Sequence, residues 1–194
     1  MSEWVRAVRE DAGAWCEGRS WLLRAPLLAW GAWILVHHLR DADYASLFAG
    51  LNLGIHELGH VVLGPFGLVL SVLGGSLAQL LAPLASVAIF LRQRDWFGIC
   101  FCFLWLGASL FELARYVGDA RAMELPLVSP FGGDPIHDWN FLLGRAGLLR
   151  WDASFARLLR LCATCSILAF LAGGGWLLHR MWRSRRGPES AESS

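Results

Sequence analysis

The sequence contains no lysine, and charged residues of all kinds make up only 17% of its 194 residues. Soluble domains carry about 25% charged residues, so this shortage excludes an ordinary soluble domain. The formal net charge is +1, and we find no glycine-rich phosphate loop and no aromatic RNA-binding motif. We therefore expect no nucleic-acid partner.

Hydrophobic residues, in contrast, make up 56% of the chain and are clustered in long runs. Residues 61–91 form a run of 31 without Asp, Glu, Lys or Arg, and residues 161–178 form another of 18. A helix of about 20 apolar residues crosses the core of a lipid bilayer. The runs predict an integral, multi-pass membrane protein in contact with lipid, which we expect in the bacterial inner membrane.

The order of apolar runs and polar breaks predicts an all-α fold, a polytopic transmembrane helical bundle of about five spans. Residues 1–20 place apolar side chains on one face among charges, which predicts an amphipathic helix lying at the membrane interface. Residues 21–182 form the predicted transmembrane domain with its zinc site, and residues 183–194 a disordered tail. The predicted spans cover about 21–39, 44–63, 68–91, 96–117 and 155–181.

The second predicted span contains the motif His56-Glu57-Leu58-Gly59-His60. Residues at i and i+4 share one face of a helix, so both imidazoles can bind one zinc ion while Glu57 acts as the general base. Composition alone would produce this pattern roughly 0.007 times in the chain. The alternative is that the two histidines form helix–helix hydrogen bonds and that Glu57 is ion-paired with Arg115.

A third zinc ligand is expected in the loop that follows the fourth span. From the His60 end of its helix the chain crosses the membrane outward and then returns, so this loop emerges on the same side as His60. Its candidates are Asp134, His137 and Asp138. The pair His137 and Asp138 is favoured as metal ligand, whereas Asp134, before a proline, is favoured as a turn residue; Asp138 could also cap a helix from 139 to 149.

Other polar residues in the apolar spans are candidates for substrate binding or for supporting the metal ligands. Asn52 lies one turn before His56, where it could bind a substrate carbonyl or form an interhelical hydrogen bond. Glu112 and Arg115, at i and i+3, are expected to form an intramembrane ion pair near the site.

The segment Ile55-His56-Glu57-Leu58-Gly59-His60 resembles the site-2 protease family of intramembrane zinc metalloproteases. That family places a His-Glu-x-x-His motif in one transmembrane helix, takes an aspartate from a later helix as third ligand, and cleaves transmembrane helices. The resemblance implies that His56 and His60 are zinc ligands and Glu57 the base. The chain is also similar to small, uncharacterised bacterial membrane proteins that pair His-Glu-x-Gly-His with a downstream His-Asp-Trp.

These observations predict a membrane-embedded zinc metallopeptidase that hydrolyses peptide bonds in or near the membrane. Its substrate would be a transmembrane protein. Two other functions remain open: a non-proteolytic accessory subunit of a membrane complex, and a zinc-dependent lipid or amide hydrolase.

Overall fold

A computed structural model describes residues 3–127 and 136–186, and every regular element within these ranges is helical, which confirms the all-α prediction. The α-helices are α1 (Glu3–Trp15), α2 (Ala25–Arg40), α3 (Phe48–Leu63), α4 (Leu68–Gln93), α5 (Trp96–Gly118), α6 (Asp138–Arg145) and α7 (Asp152–Arg186). Two short 3-10 helices cover Gly64–Phe66 and Leu149–Trp151.

Three helical stretches are long and apolar enough to cross a membrane, by length and composition. They are Leu68–Gln93, Trp96–Gly118 and Leu149–Arg185. Helices α2 and α3 have 16 residues each, which corresponds to about 24 Å of helix against a bilayer core of about 30 Å. The predicted number of five spans is therefore not confirmed.

Helix α3 begins in the middle of the bundle instead of at its end. The ring centroid of Phe48, its first residue, lies 5.4 Å from that of Trp30 in α2 and 6.4 Å from that of Trp105 in α5. Two turns later, the His56 ring lies 5.9 Å from the ring of Tyr116, near the end of α5. Helices α3 and α5 therefore run in the same direction.

Residues 41–47 connect the end of α2 to this internal starting point, and they form a re-entrant segment. We predicted a helix from about Tyr44, but the backbone of 41–47 is not helical. The hydroxyl oxygen of Ser46 accepts a hydrogen bond from the N–H of Phe48, and α3 starts there. Irregular backbone at this depth is tolerated where it lines a cavity inside the protein.

Helices α3 and α4 form a hairpin whose backbones touch at glycine. A Cβ atom on Gly59 would overlap the carbonyl oxygen of Gly74, and a Cβ on Gly74 would lie 2.5 Å from the carbonyl oxygen of Gly59. Small residues at a helix–helix contact permit this close approach. The contact brings the side chains of α3 directly over the surface of α4.

The main core lies where α2, α5 and α7 meet, and it holds the bundle behind the hairpin. Its fully buried members include Ile34, Leu104, Ala108, Ile167 and Phe170. A second cluster, containing Leu113, Val117, Ala120 and Leu143, attaches α6 to the end of α5. This second cluster fixes the start of α6 beside the motif-bearing helix α3.

Candidate metal centre

Both histidines of the motif direct their Nε2 atoms toward one point beside α4. The two rings lie on consecutive turns of α3 with their centroids 4.7 Å apart. A Cβ atom on Gly75 of α4 would lie 2.5 Å from Nε2 of His56 and 2.6 Å from Nε2 of His60. The missing side chain at Gly75 therefore provides the space into which the two rings fit.

Asp138, the first residue of α6, completes this group. Its Oδ2 atom lies 2.9 Å from Nε2 of His56 and 3.3 Å from Nε2 of His60. Burial opposes ionisation of the Asp138 carboxyl, but hydrogen bonds from the two neighbouring imidazoles in their protonated form outweigh it and lower the pKa below the usual value. Asp138 is thus a buried carboxylate, only 4% exposed, facing two imidazole nitrogens.

The hydrogen bonds on the other side of each ring determine which nitrogen carries a proton. Nδ1 of His60 lies 2.8 Å from the carbonyl oxygen of Ser71, and Nδ1 of His56 lies 3.3 Å from Oε1 of Gln79. Both oxygens can only accept a hydrogen bond, so each Nδ1 carries the hydrogen. When such a ring is neutral, its Nε2 atom presents a lone pair, as a metal ligand requires.

The group therefore consists of three electron-pair donors that face one another: two imidazole nitrogens and one carboxylate oxygen. Such donors repel at 2.9 Å and 3.3 Å unless a cation lies between them. Either protons on both imidazoles or a metal ion meet this requirement. Two histidines and one carboxylate are a common ligand set of catalytic zinc, whose ligand atoms lie about 3.3 Å apart, so these residues fit zinc.

Glu57 belongs to the same cluster of potential metal ligands. The potential ligand atoms of His56, Glu57 and His60 all lie within 4.8 Å of one another. In residues 3–127 and 136–186, no side chain forms an ion pair or hydrogen bond with Glu57. The alternative pairing with Arg115 is not formed, because the Nε atom of Arg115 lies 3.0 Å from Oδ1 of Asp43.

A cavity of about 530 Å³ opens beside the cluster, between α3, α5 and the re-entrant segment. His56, Glu57, His60 and Asp138 all contribute to its wall. The remaining wall is largely apolar and includes Leu53, Val72, Phe111, Leu113, Leu125 and Ile136. A cavity of this volume that combines apolar walls with converging polar groups is typical of a ligand-binding site.

His137 is directed away from the cluster, unlike its neighbour Asp138. Its Nδ1 atom accepts a hydrogen bond from the N–H of Asn140, 3.2 Å away, and so caps α6. Its Nε2 atom lies 3.2 Å from Oδ2 of Asp119. The structure therefore does not place His137 as a metal ligand, and the capping role that we considered for Asp138 belongs to His137.

Asp119, just after α5, contacts residues 124–125 and also His137, at the start of α6. Its carboxylate accepts hydrogen bonds from the backbone N–H groups of Glu124 and Leu125 and contacts His137. Burial alone would raise the pKa of Asp119, but these hydrogen bonds together lower it below the usual value. The ionised carboxylate is the form that accepts the hydrogen bonds of Glu124 and Leu125.

Three further contacts fix the start of α6, and with it the Asp138 side chain. The N–H of Asp138 donates to the hydroxyl of Tyr116 over 2.9 Å. The indole N–H of Trp139 donates to Oγ of Ser76 over 3.1 Å, and the amide of Asn140 donates to the carbonyl of Ala120 over 2.8 Å. Residues 137–140 thus attach α6 to the bundle, and each of the four side chains contacts a different partner.

Of the other predicted site residues, Glu112 and Arg115 line the cavity, whereas Asn52 does not. Asn52 is 1% exposed, and its Oδ1 atom accepts hydrogen bonds from Trp105 and Ser109. Its amide nitrogen donates to Glu112 over 2.6 Å, so the interhelical alternative describes Asn52. The predicted ion pair between Glu112 and Arg115 is wrong, because each of them has a different partner.

Asp134 lies outside the described residues, so its predicted role stays a prediction. Sequence reasoning also missed residues that the structure places at the cluster: Ser71, Gly75, Gln79 and Tyr116. Gln79 carried a usable signal, since it is the only Asn or Gln in the uncharged run 61–91. A polar side chain in such a run usually serves a functional site.

We compared the chain with protein-family models, with curated proteins and with solved structures, and none of the three comparisons found a match.

Proposed function

We propose that this protein is a membrane-embedded zinc metallopeptidase that hydrolyses peptide bonds in or near the bilayer. One observation carries the proposal: three metal-ligand atoms, from His56, His60 and Asp138, meet on the wall of a cavity that Glu57 also lines. We further propose a multi-pass protein of the bacterial inner membrane, in keeping with the three helices that are long and apolar enough to cross a bilayer.

In this proposal His56, His60 and Asp138 hold the zinc ion. A bound zinc ion acts as a Lewis acid that makes a coordinated water more acidic and polarises the carbonyl group of the peptide bond. Three protein ligands are the usual number in catalytic zinc sites, which leave one position open for water or substrate. We infer that Asp138, not His137, is the third ligand, because the ring of His137 contacts Asp119 and Asn140 instead.

Glu57 is the general base of the proposed reaction. Its carboxylate has no partner in the described part of the chain and belongs to the cluster, so it can accept a proton from the attacking water. The water's oxygen forms a bond to the carbonyl carbon, and the carbon–nitrogen bond breaks. Glu57 then delivers the proton to the leaving nitrogen, so that one water is consumed and an acid and an amine are formed.

The shape of the cavity limits the form of the substrate. One turn of an α-helix, about 10 Å wide and 5.4 Å long, fills roughly 400 Å³. A cavity of about 530 Å³ is comparable in volume to one such turn, and we propose that it engages a short stretch of peptide. We expect a substrate helix to unwind locally before cleavage, with its apolar side chains against Leu53, Val72 and Phe111.

The test compares wild type with Glu57→Gln, both purified in detergent. Zinc content is measured by elemental analysis, and activity is measured by cleavage of a reporter protein with one transmembrane helix. Gln keeps the size of Glu but cannot take a proton, so we expect both proteins to bind zinc and only the wild type to cleave. Glu10→Gln makes the same change at an exposed position of α1 that does not line the cavity, so it is the matched control and should retain zinc and cleavage.

Other outcomes assign a different function. Zinc in both proteins without cleavage by either would favour a structural zinc site in an accessory subunit. Cleavage by Glu57→Gln at the wild-type rate would overturn the role of Glu57. A wild type that binds no zinc would overturn the metal site itself.

A further inference from the structure

We infer that Trp105, Asn52, Glu112 and Gln79 form a hydrogen-bonded relay that positions the His56 ring. We call these four residues the polar relay. The inference rests on the proposed function in that His56 is a zinc ligand, but the relay itself is defined by hydrogen bonds among the described residues. We assign its members a positioning role, although Gln79 and Glu112 also line part of the cavity wall.

The first end of the polar relay is the indole of Trp105, which can only donate. It donates to Oδ1 of Asn52 over 2.8 Å, and the hydroxyl of Ser109 also contacts this oxygen over 3.2 Å. The orientation of the Asn52 amide is thereby fixed, because its NH2 group cannot face a donor. The NH2 group faces Glu112 and donates to Oε2 over 2.6 Å.

The second end is Gln79 of α4, whose amide is fixed in the same way. Its Nε2 atom lies 3.3 Å from the carbonyl oxygen of Ser109 and 3.5 Å from Oε2 of Glu112. Both neighbours are acceptors, so the nitrogen must face them and Oε1 must face His56. Oε1 lies 3.3 Å from Nδ1 of His56 and therefore selects the ring form with a hydrogen on Nδ1.

The hydrogen bonds of the relay thus fix the amide orientations of Asn52 and Gln79, and through Gln79 they place the hydrogen of the His56 ring on Nδ1. With the hydrogen held on Nδ1, the Nε2 atom faces His60 and Asp138 with its lone pair. His60 obtains the same result from the backbone carbonyl of Ser71, which needs no side chain. His56 has no such carbonyl partner in the described residues, so its orientation depends on Gln79.

Burial supports a positioning role for Asn52 and Gln79. Asn52 is 1% exposed and Gln79 is 6% exposed, and the hydrogen-bonding atoms of Asn52 are all engaged within the bundle. Polar side chains between apolar helices are costly, and four apolar residues would fill the same space. The hydrogen bonds of the relay restrict the His56 ring to the orientation that binds metal, which offsets the cost of burying these polar groups.

The first measurement needs no variant. Histidine 15N NMR of the detergent-solubilised wild type reports which ring nitrogens carry hydrogen. We expect Nδ1 of His56 to be protonated both in the zinc-free and in the zinc-loaded protein. An unprotonated Nδ1 in the zinc-free wild type would overturn the inference, whether or not the protein binds zinc.

The second measurement is zinc affinity, by competition with a chromophoric chelator. Gln79→Met preserves the length of the side chain but removes the acceptor, and we expect zinc binding to weaken about 10–100-fold. Gln93→Met, at the exposed end of the same helix, is the matched control and should bind zinc as the wild type does. Equal affinities in these two variants would refute the relay.

A pair of variants at Glu112 separates positioning from folding. Glu112→Gln retains an oxygen that accepts from Asn52 and Gln79, and it should restore most of the zinc affinity that Glu112→Met loses. The position of the visible absorption bands of the Co²⁺-substituted protein should shift in Glu112→Met and not in Glu112→Gln. Identical spectra and affinities in both variants would show that Glu112 only fills space. A wild type that binds no zinc but keeps Nδ1 of His56 protonated would refute the proposed function and leave the relay standing.

Discussion

The substitution Gly75→Ala adds one methyl group at the point where the two histidine rings meet α4. The new Cβ atom would lie 2.5 Å from Nε2 of His56 and 2.6 Å from Nε2 of His60, whereas ordinary contacts begin at 3.4 Å. Each ring would have to move by about 0.9 Å, and both would move away from α4. Because Ser71 and Gln79 hold the rings on that side, the shift strains both Nδ1 hydrogen bonds.

The expected effect is large on zinc binding and small on folding. A displacement of two of three ligands should weaken zinc binding by about 100-fold or more, which corresponds to about 2.7 kcal/mol. Alanine is favoured over glycine inside a helix by about 0.5–1 kcal/mol, which offsets part of the strain in the zinc-free protein. We therefore expect the unfolding temperature without zinc to change little.

The assay measures zinc affinity by chelator competition and the unfolding temperature with and without added zinc. Zinc that binds only the folded protein stabilises it by about 2.7 kcal/mol at 100 times its dissociation constant, so the wild type should melt at a higher temperature when zinc is added. Gly75→Ala should lose this shift. Gly54→Ala is the matched control, because a Cβ at Gly54 of α3 meets no atom within 4 Å.

The refuting result is specific. If Gly75→Ala binds zinc as tightly as Gly54→Ala, the metal does not lie where the two Nε2 atoms converge. If both variants fold and neither the variants nor the wild type gains stability from zinc, the two histidines are protonated partners of Asp138 instead.

Three further substitutions test the surroundings of the cluster. Asp119→Ala leaves the N–H groups of Glu124 and Leu125, and the His137 ring, without their acceptor. We expect the free energy of unfolding, measured by chemical denaturation, to fall by about 1–3 kcal/mol. Zinc binding, measured by chelator competition, should also weaken. Trp139→Phe removes the hydrogen bond to Ser76 and should cost about 1 kcal/mol in the same denaturation assay; no loss would show that this bond does not hold α6. Arg115→Gln breaks an ion pair with the largely exposed Asp43 and should change the unfolding free energy by less than about 1 kcal/mol. A larger loss would show that this pair contributes more than exposed ion pairs usually do.

The motif at the centre of the site is local, and so the sequence predicts it well. The spacing of His56 and His60 alone places both rings on one face of a helix. The side of the bundle on which the later loop lies follows from counting two crossings, and the structure places Asp138 beside both histidines. Neither step requires knowledge of how helices pack.

The start of α3 could not be predicted, because composition does not report depth in the bundle. Residues 44–63 are apolar enough to resemble a full span, yet the first residues of this stretch form the re-entrant segment. The stacking of Phe48 against Trp30 and Trp105 fixes where α3 begins, and this contact joins residues far apart in the chain. Hydrophobic periodicity carries no information on such contacts.

The sequence also could not predict which of His137 and Asp138 faces the two histidines. Adjacent residues at a helix start point in different directions, so only one of them can face the histidines. Asp119 binds the His137 ring and thereby leaves Asp138 to face His56. Gly75 and Gln79 enter the site through the register between α3 and α4, which depends on the contact of Gly59 with Gly74.

X-ray absorption spectroscopy at the zinc edge, on stoichiometrically loaded wild type and on Asp138→Asn, tests the metal site most directly. We predict about one zinc ion per chain, with scattering from two imidazole rings and from oxygen at about 2.0–2.1 Å, and weaker zinc binding in Asp138→Asn. A wild type that binds no stoichiometric zinc, or a zinc ion without imidazole scattering, would contradict the assignment of His56, His60 and Asp138 as its ligands.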